Sequence, residues 1–112
     1  MGGKRKAPEL HTQARRRACA EVKRTESTCH LCGQPIDMNS DHQRSPLGFT
    51  VDELIPRSKG GSATDRANLR AAHRVCNSRR NDRWLTPAVY AECRAAMTPQ
   101  TSEDVLPAWL MA

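Results

Sequence analysis

The chain has 112 residues, a formal net charge of +6 and only four aromatic residues, so it is too short for two independent cores. No apolar run approaches membrane-spanning length and MGGKRKAPEL lacks the core of a signal peptide, so we expect a reducing, cytoplasmic location without membrane attachment. Residues 1–83 hold 17 Lys and Arg against 9 Asp and Glu, which predicts a polyanionic partner, most simply nucleic acid; the alternative is a merely solubilising surface.

The first predicted elements are a disordered basic arm, residues 1–7, and a helix from about Glu9 to Arg24. Neither Gly nor Pro interrupts the helical stretch, which is rich in Ala, Arg, Glu and Lys. Its basic residues should lie largely off the apolar face, where they could follow a phosphate backbone or simply face solvent. The thin apolar stripe consists of Leu10, Ala14, Ala18 and Val22.

Two pairs of potential metal ligands follow, C-x-x-C at Cys29 and Cys32 and H-x-x-C at His73 and Cys76. Each spacing lets two side chains on one turn converge on an ion, and three cysteines with one histidine are an accepted ligand set for structural zinc. Such a clamp would compensate for a small core, because the free energy of metal binding would then contribute to the free energy of folding. The alternatives are a redox pair, an ordinary polar histidine and a buried cysteine.

The remaining cysteines and one histidine are expected to play no part in holding the zinc. Cys19 and Cys93 lie in helical patterns among alanines and should be buried thiols. His30 should lie at the surface or donate a hydrogen bond close to the zinc.

Between the two ligand pairs, the sequence predicts a polar loop and two short strands. Residues 37–48 are the loop, and FTVDELI, residues 49–55, alternates apolar and polar side chains as a strand does. A long turn, residues 56–68, leads to LRAAH, residues 69–73, as the second strand.

Two helices are predicted after the second strand. The first should run from about Cys76 to Arg83. The second should run from Ala88 to Met97, with Thr86 as its N-cap and Pro87 in its first turn. No helix or strand is predicted for the C-terminal end. Its apolar residues could form a homodimer surface; they are Leu106, Trp109, Leu110 and Met111.

The motifs C-x-x-C, VDELIPRSKGG, NL and H-x-x-C-N-x-x-R occur together and in the order found in HNH endonucleases. The stretch from Cys29 to Arg83 resembles the compact, zinc-stapled members of that family that are frequent in phages and defence systems. The resemblance implies an α+β fold with a ββα-metal unit, in which a hairpin and a helix hold a catalytic divalent ion. We therefore expect three regions: 1–25, a basic arm and helix; 26–85, the zinc-stapled ββα-metal domain; and 86–112, a helical extension.

The resemblance also implies roles for single residues. By position, Asp52 and Asn77 are the ligands of the catalytic ion, and Asn68 is the central asparagine that fastens the long loop. Glu53 stands where the family usually has the histidine that acts as general base. It could accept the proton, be a third oxygen ligand, or point away from Asp52 because side chains alternate along a strand. Oxygen donors of this kind suit Mg or Mn.

The function implied is a metal-dependent DNA endonuclease that nicks or cleaves DNA, in the host cytoplasm if the protein is phage-encoded. The alternative is a non-catalytic zinc module that binds DNA or a protein such as a phage packaging or defence partner. Phosphate contacts are assigned to five basic residues: Arg57, Lys59, Arg79, Arg80 and Arg83.

Overall fold

The computed structural model describes residues 12–41 and 45–97 and has an α+β fold, as predicted. The predicted arm, residues 1–7, and the proposed dimer surface near the C-terminus lie outside the described residues. Two single-turn 3-10 helices occupy Arg57–Lys59 and Arg66–Asn68. The main elements in chain order are α1 (Gln13–Thr25), β1 (Asp37–Asp41), β2 (Gly48–Glu53), β3 (Leu69–His73), α2 (Arg74–Arg80) and α3 (Pro87–Met97).

A three-stranded sheet in the order β1-β2-β3 forms the centre of the fold. β2 and β3 make the expected antiparallel hairpin, in which Phe49 faces His73 and Glu53 faces Leu69. β1 pairs in parallel with β2, which corrects the prediction of a loop over residues 37–48. The sequence DMNSD has little strand propensity, and it becomes a strand because the edge of β2 offers backbone groups for pairing.

Helix α1 packs its apolar face on β2 and β3. Thr12 caps it by accepting a hydrogen bond from the backbone N–H of Arg15 at 3.0 Å. The buried stripe is shorter than predicted, because Ala18 and Val22 are buried whereas Ala14 is exposed. Leu10 lies outside the described residues.

Glu26, directly after α1, fastens this helix to β3. Its carboxylate accepts a hydrogen bond from the backbone N–H of Ala71 at 2.9 Å and pairs with Arg66 at 2.9 Å and Arg70 at 3.2 Å. Burial alone would raise the pKa of Glu26, but these three donors outweigh it, and the pKa lies below the ordinary value of 4.5.

The two C-terminal helices differ from prediction mainly in their ends. α2 begins at Arg74, directly after β3, and ends at Arg80, where Asn81 takes a positive φ of 58°. The predicted extension to Arg83 is therefore wrong, since this backbone conformation stops a right-handed helix. α3 begins at Pro87 as predicted, and the hydroxyl of Thr86 accepts the backbone N–H of Val89 at 3.3 Å.

The apolar core is small and includes the four predicted zinc ligands. All four are buried, and they adjoin a few aliphatic side chains such as Val22, Leu31 and Leu69. The rest of the core consists of three alanines, one further cysteine and three other aliphatic side chains. A core of this composition is stable only with an additional cross-link, which is the role the sequence assigns to zinc.

Candidate active site and metal centre

The ligand atoms of Cys29, Cys32, His73 and Cys76, called the zinc cluster below, lie within 4.8 Å of one another. They come from a turn after α1, the last residue of β3 and the first turn of α2. His73 Nδ1 lies 3.4 Å from the Cys32 sulfur and 3.7 Å from the Cys76 sulfur. The cluster suggests a structural zinc site, and the four-ligand set leaves no open position for catalysis.

Hydrogen bonds around the zinc cluster orient its ligands. His73 Nε2 lies 2.8 Å from the carbonyl oxygen of Pro35, which can only accept, so Nε2 carries the proton and Nδ1 is left for the ion. The backbone N–H of His73 points at the Cys29 sulfur at 3.4 Å, and that of Gln34 points at the Cys32 sulfur at 3.5 Å. These contacts favour thiolates, which fit zinc.

The three thiols of the zinc cluster differ in acidity. The Cys76 thiol donates to Cys29 and, against the effect of burial, lowers the pKa of Cys29 to about 4. The pKa of Cys76 is raised because its thiol donates to Cys29 and is buried, and burial raises the pKa of Cys32. Binding an ion must therefore release thiol protons, and acid should weaken it.

A second polar site is a cavity of about 650 Å³ between β2 and α2, called the acid cavity below. The structure brings three of the predicted catalytic residues into its wall: Asp52 and Glu53 at the end of β2, and Asn77 on α2. Asn68 does not line it. The wall also contains three arginines: Arg15, Arg57 and Arg80.

Asn68 fastens the long loop, as the resemblance implies. Its Oδ1 accepts the backbone N–H of Ile55 at 2.9 Å, and its Nδ2 donates to the carbonyl oxygens of Ile55 at 3.0 Å and Ser62 at 2.8 Å. Gly61 lies next to these hydrogen bonds, and a Cβ at this position would be 1.6 Å from the Ile55 carbonyl oxygen. Only glycine fits, which explains the second glycine of VDELIPRSKGG.

Asp52 is only 3% exposed, and both of its oxygens have partners. Oδ1 accepts from Arg80 Nη1 at 2.7 Å, and Oδ2 accepts from His30 Nε2 at 2.7 Å. The guanidinium of Arg80 also donates to the carbonyl oxygens of Glu53, Leu54 and Arg83. The charge of this buried carboxylate is thus balanced within the chain.

Residues 29–83 match the family model described as HNH endonuclease. This segment is an HNH domain. It contains the zinc cluster, β2, β3 and α2, whereas α1 and α3 lie outside the matched segment. No curated protein and no solved structure matches the chain. Membership of this family indicates nuclease or nucleic-acid-related activity, and HNH domains can also be non-catalytic.

One HNH-domain prediction is corrected by the position of Arg80. We expected its side chain to project from the helix toward phosphates, but Arg80 is only 1% exposed. It follows Cys76 by four residues, so both lie on the helix face that is turned to the core. Arg83 is exposed and pairs with Glu92 at 3.0 and 3.1 Å, with no part in the acid cavity.

Glu53 is turned into the acid cavity together with Asp52, although strand alternation favoured opposite directions. It is the last residue of β2, where the chain turns and alternation ceases to fix the side chain. Its carboxylate pairs with Arg15 at 3.3 Å and with Arg57 Nε at 3.1 Å. Arg15 also donates to the Ala63 carbonyl oxygen at 2.8 Å, so α1 delivers a cation to the HNH domain.

Sequence reasoning missed Arg15 and His30 as site residues. Arg15 was assigned to the outer faces of a helix that no motif covers. The side chain of His30 is 4% exposed, not at the surface, and its ring meets the edge of Tyr90 at a centroid distance of 6.2 Å. The sequence contained one signal for His30. Because Glu53 stands where the family usually has a histidine, another histidine of the chain could bring an imidazole to the site.

The acid cavity fits a hard divalent cation by donor type. Asp52, Glu53 and Asn77 present oxygens, and each Asp52 oxygen keeps a second lone pair beyond its one hydrogen bond. Arg80 already balances the charge of Asp52, however, so an ion there must act beside a resident guanidinium.

None of the helices in residues 12–41 and 45–97 is long and apolar enough to cross a membrane.

Proposed function

We propose that the HNH domain hydrolyses phosphodiester bonds in DNA and requires Mg or Mn. The observation that carries this proposal is the acid cavity, where Asp52, Glu53 and Asn77 meet between β2 and α2. A strand and a helix hold these side chains, and Asn68 holds the loop that follows the strand. The basic charge of residues 1–83 supports DNA as the partner, and we propose that the reaction takes place in the cytoplasm.

Asp52 and Asn77 would hold the catalytic cation, which when bound supplies charge stabilisation at the scissile phosphate and the leaving oxygen. Glu53 would accept the proton of the attacking water, because its carboxylate lines the same cavity as the proposed ligands of the cation. Arg57 and Arg15 hold the carboxylate of Glu53 in place and bring positive charge to the phosphate. His30 and Arg80 orient Asp52.

A second candidate is a non-catalytic HNH module that binds DNA. The pairing of both acids with arginines of the same chain favours it, since Asp52 is neutralised by Arg80 and Glu53 by Arg15 and Arg57. A module of this kind would bind DNA in a salt-dependent way and leave it intact.

Nicking of supercoiled plasmid by the zinc-loaded protein separates the two candidates. With Mg or Mn added, we expect the unmodified protein to nick the plasmid and Glu53→Gln to be slower by about 10²-fold or more, as for loss of a general base. Glu92→Gln is the matched control, because it changes an exposed glutamate outside the acid cavity and should leave nicking unchanged.

Three results bear on the choice. Nicking that Glu53→Gln and Asp52→Asn both leave unchanged would exclude the acid cavity as its source. Salt-dependent DNA binding without nicking under any divalent ion would support the second candidate. Glu53→His restores the family's usual imidazole, and faster nicking by this variant would identify Glu53 as a weak base in an endonuclease site.

A further inference from the structure

Trp84 is the most exposed large apolar residue in the described part of the chain, at 55%. Single apolar residues on a surface are common and need no explanation. Trp84 differs from these because the residue before it is held by several hydrogen bonds while its own side chain stays exposed. It is also one of only two tryptophans in a chain that has four aromatic residues.

The segment that carries Trp84 is fastened to both neighbouring helices. Arg83, the preceding residue, donates to the carbonyl oxygens of Arg79 at 2.7 Å and Arg80 at 3.2 Å, and its own carbonyl oxygen accepts from Arg80 at 2.7 Å. Its guanidinium pairs with Glu92 of α3. The indole is therefore presented from an ordered backbone, which reduces the entropic cost of binding a flat ligand.

Trp84 lies close to the acid cavity. Asp82, two residues before it, lines the cavity, so the two Cα atoms are at most about 7 Å apart. Ser58 of the first 3-10 turn donates to Asp82 at 3.3 Å and joins this turn to the tryptophan segment. The tryptophan segment therefore adjoins the cavity wall on the side of Asp82.

The charges around the ring match a nucleic acid strand. Lys59 Nζ lies over one face of the Trp84 ring, 5.8 Å from its centroid, a cation–π contact that leaves the opposite face for a base. Arg57, two residues before Lys59, lies in the cavity wall. An aromatic ring paired with a cation, near a cavity whose wall contains arginines, is an arrangement that binds a stacked base together with its backbone.

We propose that Trp84 and Lys59 form a stacking site for an unpaired nucleobase of DNA. In a duplex every base except those of the two end pairs is covered on both faces, so the indole stacks far more readily on unpaired bases, as in single strands, flaps or frayed ends. That such DNA is also what the HNH domain cleaves rests on the proposed function. The stacking site itself requires only binding.

Fluorescence of Trp84 tests the proposal directly. The full zinc-loaded chain with Trp109→Phe has Trp84 as its single tryptophan, and without added Mg or Mn it should leave DNA intact. A thymidine oligonucleotide should quench the indole fluorescence, and a blunt duplex of equal length should quench it much less. Anisotropy of labelled oligonucleotide measures the affinity in parallel.

Matched variants separate stacking from general charge. In an otherwise unmodified chain, Trp84→Leu should weaken single-strand binding by about 5- to 150-fold, the range for loss of one stacked base, and Trp84→Phe should retain most of the affinity. Leu47→Ala removes another exposed apolar side chain and should change nothing. Duplex affinity should be similar in all of these proteins.

The proposal fails if the oligonucleotide binds without quenching, if Trp84→Leu binds as tightly as the unmodified protein, or if neither DNA binds. These results are independent of the plasmid assay. Stacking without nicking would overturn the endonuclease and leave the binding site standing. Nicking of duplex plasmid by a Trp84→Leu protein with unchanged single-strand affinity would overturn only the stacking site.

Discussion

The zinc cluster and the acid cavity lie in the same small fold but are completed in different ways. In the zinc cluster, three sulfurs and one neutral imidazole face one another, and the set contains no cation that could balance thiolates. In the acid cavity, carboxylates face guanidiniums: Asp52 pairs with Arg80, and Glu53 pairs with Arg57.

This difference decides what each site requires of an ion. Hydrogen bonds within the zinc cluster leave the negative charge of thiolates unbalanced, so an external cation is needed to hold three thiolates together. Opposite charges satisfy each other, so the acid cavity is complete within the chain and needs a cation only for chemistry. Folding should thus depend on zinc and be indifferent to Mg or Mn.

Removal of zinc should have the largest effect. Structural zinc contributes roughly 10–16 kcal/mol in small zinc domains, which equals or exceeds the roughly 5–15 kcal/mol by which whole domains are stable. We expect a zinc-selective chelator to abolish the cooperative unfolding transition seen by circular dichroism on heating, and added zinc but not Mg to restore it.

Cys93→Ala is the control for this experiment, because it removes a buried cysteine outside the zinc cluster. It should keep a transition that still responds to the chelator. If the chelated protein unfolds on heating like the untreated protein, folding does not depend on zinc, and the proposed difference between the two sites is wrong.

Loss of Arg80 should have the next largest effect. Arg80→Met leaves the buried Asp52 without its cation and should lower the free energy of unfolding by about 3–5 kcal/mol in urea titrations. Adding Asp52→Asn should recover part of this loss, since the unpaired charge is then gone. Arg83→Met, at an exposed pair, should change stability little.

Equal stability of Arg80→Met and the unmodified protein would show that the charge of Asp52 does not depend on Arg80 for its balance. Binding of Mn in that variant but not in the unmodified protein would sharpen the comparison, because it would identify the guanidinium as a competitor of the catalytic ion.

Glu26, an acid outside both sites, should show the smallest effect. Its pKa is lowered in the folded state, so its stabilisation is complete above the unfolded value of 4.5 and is lost as the pH falls through the folded-state value. Glu26→Gln should cost about 1 kcal/mol at pH 7 in urea titrations. The difference from the unmodified protein should vanish in acid, and a difference that persists at pH 2 would exclude the carboxylate charge as its cause.

Features that depend on neighbouring residues could be predicted from the sequence. The spacing of Cys29 and Cys32 identified the first ligand pair because two residues suffice to place both sulfurs on one turn. The start of α3 was predicted because Thr86 and Pro87 act on their own helix. The resemblance also placed Asp52 and Asn77 in one group, and they line one cavity.

Features that depend on distant partners could not be predicted in this way. The edge of β2 makes β1 a strand, and Arg80 lies inside because its partner Asp52, 28 residues before it, is brought to the core face of α2. Arg15 reaches the acids from α1, and His30 reaches them from the turn between Cys29 and Cys32. Their separations in sequence from the acids are 38 and 22 residues, beyond the range of any local pattern.

The amino-acid sequence by itself determined which atoms could bind a metal and where chain direction changes, since ligand spacing, caps and glycines act within a few residues. Only the tertiary structure decided which charges meet. An ion pair such as Arg80 with Asp52 forms when packing removes both groups from water, and that depends on the whole fold.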